Sequence, residues 1–345
     1  VINTMIGALH SVYIDSSFVY DQAQLNSPNF VTGYLNVFAH EGNIEAIKDG
    51  QTPAPISVSP SGTSVDITVD QPYNTSEIRF QAGNDPLNGD LCNVMNCYLG
   101  TNPEWTGNIL FNKPLNVTSN AKGYTVLSAE RDIETQVDAP FTFTYTNETD
   151  SLDDLYMTAG RHIETHKKMT YTYTTDKKTK ANVTMQAGRL DPAAALHTNA
   201  CTDALCKVIE EGSNLYPNGS VFEPHGTFGN DFSKGGKGQG SILLFDSVEF
   251  TYDGKGMILM TALNGNIESD PYLHKADAAR GNTDGRGYHG GDNIHDAQIT
   301  INHNGGGKTK LEAIDIKLHD KIAYYALTHA VDSNGQFYMV AFDSI

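Results

Sequence analysis

Phe141-Thr142-Phe143-Thr144-Tyr145-Thr146, and again Met169-Thr170-Tyr171-Thr172-Tyr173-Thr174, alternate a large apolar or aromatic residue with threonine at a strict period of two. Successive side chains of a strand point to opposite faces, so each stretch predicts a β-strand with one buried and one solvated side. Val65, Ile67 and Val69 alternate with Asp66, Thr68 and Asp70 in the same way, after a Pro-rich approach through Pro53, Pro55 and Pro60.

Working outward from these strands, the C-terminal third reads as hairpins. Residues 242–252 run into Asp253-Gly254, residues 257–263 into Asn264-Gly265, residues 298–303 into the glycines at 305–307, and residues 322–329 return through Asn334-Gly335. Asp-Gly and Asn-Gly supply the positive φ angles of a tight hairpin. One short helix is predicted over residues 203–211, with Thr202 as N-cap and Gly212 as its stop. Residues 229–240 and 281–291 read as glycine-rich loops, and no tandem repeat of solenoid or propeller length stands out. The expected fold is therefore all-β, a β-sandwich or jelly-roll-like body with long Gly/Asn-rich loops and one short helix. It is expected as one large domain over 1–345, with a shift in composition that admits a division into 1–145 and 146–345.

Composition agrees with a loop-rich β protein. Of 345 residues, 19% are charged and 32 are glycine, which argues against coiled coil and charge-rich disorder. The formal charge of -18 repels nucleic acid and anionic lipid and favours cations. No stretch is apolar enough for a membrane helix, so neither nucleic-acid partners nor membrane insertion is expected. The first residue is Val1 and no basic-then-apolar leader precedes it, so the chain reads as a processed, secreted form with its signal removed.

Cys92 and Cys97, and Cys201 and Cys206, share one spacing, which predicts two local disulfides and an oxidising compartment; a zinc site on all four cysteines is the rival. Sequons at Asn74, Asn116, Asn147, Asn182 and Asn218 permit a glycoprotein without showing one.

Two segments carry candidate metal ligands. In His162-Ile163-Glu164-Thr165-His166, residues i, i+2 and i+4 share one face of a strand, so His162, Glu164 and His166 could converge on a metal; the competing explanation is an exposed polar strand. In residues 84–90, Asp85, Asn88 and Asp90 offer oxygen ligands for calcium beside the first cysteine pair, although the same residues also make an ordinary turn. His289, His295 and His303 form a looser group. No Gly-x-Ser-x-Gly elbow, P-loop or dinucleotide fingerprint is present, and Trp105 with 17 tyrosines could stack sugars or simply fill a core.

Residues 1–14 contain no Asp, Glu, Lys or Arg, and Met5, Ile6, Leu9, Val12 and Ile14 need cover. Two explanations fit: the first strand of the chain's own sheet, or a strand donated to a neighbouring copy. The function expected from all this is a secreted, non-catalytic structural protein that assembles with copies of itself into an extracellular filament or cell-surface layer. A carbohydrate-binding or adhesive module with glycan partners is one alternative. An extracellular hydrolase or metalloenzyme built on His162, Glu164 and His166 is another.

Overall fold

The computed structural model describes residues 2–8, 11–14, 17–22, 33–39, 43–46, 64–70, 75–83, 107–111, 113–129, 132–135, 139–146, 153–160, 162–174, 182–188, 240–253, 256–262, 265–269, 297–304, 307–318, 321–326 and 335–344. The predicted strands at residues 65–69, 141–146 and 169–174 are all present.

The strands fall into three faces. The first holds β1 (Ile2–Ala8), β4 (Gly33–Ala39), β7 (Thr75–Ala82), β10 (Lys122–Ala129), β13 (Asp153–Ala159), β16 (Asn182–Ala187), β19 (Met257–Ala262), β22 (Lys308–Leu318) and β24 (Gln336–Ser344). The second holds β2 (Val12–Tyr13), β5 (Ile44–Ala46), β8 (Ile109–Phe111), β11 (Ile133–Thr135), β14 (Ile163–Thr165), β17 (Ile242–Leu244) and β20 (Asn266–Ser269). The third holds β3 (Phe18–Gln22), β6 (Val65–Val69), β9 (Leu115–Ser119), β12 (Phe141–Thr146), β15 (Met169–Thr174), β18 (Val248–Tyr252), β21 (Ile299–His303) and β23 (Ile322–Ala326).

Nearly every strand pairs with the one three places later, and every pairing among the described residues is parallel. The chain therefore winds as a solenoid with three strands to a coil. The first two faces count as one sheet of 16 strands because β22 turns a corner, pairing β19 with its first half and β20 with its second. The third face is a separate sheet of eight.

This arrangement overturns the expected sandwich or jelly roll. Alternation shows that a strand has one buried face, but not which way its neighbour runs. β18 and β19, the strands before and after Asp253-Gly254, belong to different sheets and do not pair as a hairpin. The absence of a visible repeat also has a physical cause. The in-register core residues Leu127, Met157 and Met185 are 30 and 28 positions apart, but Met260, the next in that row, lies a further 75 along. Insertions at the corners obscure a period that the strands keep. The ladders run across residue 145 without a break, from β12 to β15 and from β10 to β13. The helix expected over 203–211 lies outside the described residues.

The interior is built of stacked like residues. Ala8, Ala39, Ala82, Ala129, Ala159, Ala187 and Ala262 are successive register partners along the first face. On the second face Val12 is followed by Ile44, Ile109, Ile133, Ile163, Ile242, Ile267 and Ile316. On the third, Phe143, Tyr171 and Phe250 continue a row of large residues. All but Ala8 of the alanines, and all of the isoleucines, are buried. Alanine stands where the first face ends, at the entry to a corner, and large residues fill the middle of the faces. Identical residues stacked at the parallel strand spacing of about 4.8 Å interlock without a change of volume from coil to coil.

Ile2–Ala8 pairs along its length with β4, so the apolar leading segment supplies the first strand of its own solenoid. This is the first of the two explanations offered for it.

Candidate metal centre

The site grows out of the corner before each second-face strand. There the backbone N–H of one coil donates to the side chain at the same position in the coil before it. Asn43 donates to Ser11 Oγ (3.0 Å), Asn108 to Asn43 Oδ1 (3.0 Å) and Asp132 to Asn108 Oδ1 (3.3 Å). His162 then donates to Asp132 Oδ1 (3.0 Å), Ser241 to His162 Nδ1 (3.2 Å) and Asn266 to Ser241 Oγ (3.0 Å). Each residue supplies a short side-chain acceptor to a buried backbone donor, which would be costly to leave unmade. His162 is a rung of this ladder, and because its Nδ1 accepts a hydrogen bond, that nitrogen carries no proton.

Immediately after each rung comes the core residue of the second face, Val12 after Ser11 and an isoleucine after the others, and then a residue on the opposite side of the strand. In β11 and β14 those residues are Glu134 and Glu164, which are register partners. Both carboxylates therefore leave adjacent strands in the same direction. His166, two residues beyond Glu164, shares that side. Its Nε2 lies 3.2 Å from Glu164 Oε2 and 3.7 Å from Glu134 Oε1. Its ring stacks on Phe245 with centroids 4.2 Å apart and planes 18° apart, and its backbone N–H donates to Thr135 Oγ1 at 2.9 Å. Packing and hydrogen bonding thus hold the imidazole against the carboxylates. One ligand atom from each of the three residues lies within 4.8 Å of the other two. The three side chains are at most 4% exposed.

The predicted set therefore divides. Glu164 and His166 meet; His162 serves the neighbouring coil's backbone. Glu134 was not among the predicted ligands, although the sequence signals it: Ala129-Glu130-Arg131-Asp132-Ile133-Glu134-Thr135 recurs as Ala159-Gly160-Arg161-His162-Ile163-Glu164-Thr165. Two segments so alike, thirty positions apart, take equivalent places in successive coils.

Of the looser histidine group, His303 points into the core. Its Nε2 lies 2.8 Å from Thr309 Oγ1, and it sits between Tyr252 and Tyr324. Burial lowers its pKa from 6.5 to about 4. Among the sequons, Asn116 Nδ2 donates to Asp66 Oδ1 at 2.7 Å, and Asn182 Oδ1 accepts the Met257 N–H at 3.1 Å. Asn74, Asn147, Asn218, Asp85, Asn88, Asp90, His289, His295 and all four cysteines, Cys92, Cys97, Cys201 and Cys206, lie outside the described residues. No helix among the described residues is long and apolar enough to cross a membrane.

In comparisons with known proteins, no family model, no curated protein and no solved structure matches the chain.

Proposed function

We propose that this chain is part of a rod-like, non-catalytic structural protein that works outside the cell, in a filament or a surface layer. The observation that carries this proposal is the unbroken interior stacking, with alanine and isoleucine rows continuing through seven register partners or more. In a solenoid each coil is stabilised by its neighbours, so the architecture provides length and lateral surface. Buried as they are, Glu134, Glu164 and His166 are poorly placed to meet a substrate, which weakens the case for a hydrolase on this strand. The net charge of -18 and the matched spacing of Cys92 and Cys97 with Cys201 and Cys206 favour an extracellular setting.

Self-association through a donated N-terminal strand finds little support, since β1 is already committed to β4. Lateral contact between rods is the better route. An adhesive role is favoured by one surface, the outward side of the third face. Thr68, Thr118, Thr144, Thr172 and Thr251 follow one another there in register, a comb of hydroxyls suited to glycans.

Negative-stain microscopy and small-angle scattering of the native material test the main proposal. Elongated particles that associate side by side are expected. Compact, monodisperse particles that turn over a polysaccharide would overturn it, and discrete rods retained on a glycan matrix would favour adhesion.

A further inference from the structure

We infer that Glu134, Glu164 and His166 form a binding site for one divalent first-row transition metal, best matched by Zn²⁺, which ties two successive coils together. The donor set is one imidazole nitrogen and two carboxylate oxygens, the chemistry that zinc accepts and that calcium, with its need for six to eight oxygens, does not. The spacing agrees. Zinc bonds of about 2.0–2.1 Å in a tetrahedron place neighbouring donors about 3.3–3.4 Å apart. The imidazole nitrogen lies 3.2 Å from one carboxylate oxygen and 3.7 Å from the other.

The surroundings also fit. Glu134 and Glu164 come from register-paired positions on adjacent strands, so the ladder itself forces two carboxylates together in a buried place. The Phe245 ring packs against the imidazole and Thr135 Oγ1 anchors the His166 backbone N–H, so the histidine is held beside the two carboxylates. Three protein ligands leave a fourth position for water. Burial assigns the metal to holding β11, β14 and the corner at His166 together, a stabilising part and not a catalytic one.

The test uses the full chain, stripped of metal with a chelator and titrated with Zn²⁺ by calorimetry under competition. Binding of one Zn²⁺ per chain, with a rise in Tm that chelation reverses, is expected. Glu134→Gln keeps the side-chain shape and should weaken zinc binding about a hundredfold, while Glu249→Gln, on the outer side of β18, should leave it unchanged. Cobalt substitution of the wild-type protein gives an independent reading, with visible bands of a four-coordinate nitrogen and oxygen site and no thiolate charge-transfer band. No zinc uptake, affinity unaltered by Glu134→Gln, or a thiolate band placing the metal on the cysteines would each overturn the site.

Discussion

His162 and Glu164 are two positions apart on one strand face, yet they do different work, because each is defined by the coil next door. Within-strand spacing brings Glu164 to His166, and that much is legible in the sequence. It is silent about the neighbouring coils: β11 on one side supplies Glu134 to Glu164 and His166, and the coil of β17 on the other brings the Ser241 N–H to His162. Two predictions follow from these environments. Replacing His162 by Asn keeps a short acceptor like that of Asn43 and Asn108 and should cost under about 1 kcal/mol. His162→Leu strands the Ser241 N–H and should cost about 1–3 kcal/mol in urea unfolding. His303 gives the pH dependence. Its folded pKa, about 4, lies below the 6.5 of the unfolded chain. Above pH 6.5 neither state binds the proton and there is no penalty. As pH falls toward 4 the unfolded chain takes up a proton that the folded one refuses, and stability declines by about 3 kcal/mol in all. His303→Gln should flatten the slope of unfolding free energy between pH 6.5 and 4; an unchanged slope would show that other groups set it.

The individual strands were the most legible elements. β6, β12 and β15 carry a period of two that any half-buried strand must show, whatever its partner's direction. Their stacking was not legible, because it depends on register between distant segments. The alanine row illustrates the constraint. Ala129, Ala159 and Ala187 are wholly buried and stacked in successive coils, so added volume at one meets the next. Ala159→Leu should destabilise by about 1–3 kcal/mol or more through overpacking, whereas Thr144→Val, on the outer side of β12, should change stability by no more than about 0.5 kcal/mol. Equal effects at the two positions, measured as shifts in denaturant midpoint, would contradict the assigned faces.

At the scale of the molecule, the solenoid was hidden by its insertions, and the same insertions allow its sharpest test. In the coil carrying β13 and β14, the corner reads Ala159-Gly160-Arg161-His162-Ile163. In the next coil it begins Ala187-Gly188 and resumes at Gly240-Ser241-Ile242, with residues 189–239 between. Removing those residues leaves Ala187-Gly188-Gly240-Ser241-Ile242, the same spacing from alanine to isoleucine. The ends are already adjacent: a Cβ added at Gly240 would stand 2.7 Å from Gly188 Cα, and the φ values of Gly188 and Gly240 are +95° and +79°. Both glycines belong to the left-handed region that a tight corner uses. Residues 189–239 thus depart from and return to one corner, while β16 to β19 and β14 to β17 keep their register past it. A direct deletion of 189–239 should therefore leave a folded chain with the same strand-type circular dichroism and a cooperative transition. Stability should match or exceed that of the parent, by up to about 3 kcal/mol, since loop-closure entropy scales as the logarithm of the length removed. In the full chain, Gly240→Ala should be destabilising, because the new methyl has no room against Gly188 and the backbone there is strained for any other residue. If the deletion alone abolishes cooperative unfolding, residues 189–239 contribute to the core, and the coil as drawn is not self-sufficient at that corner.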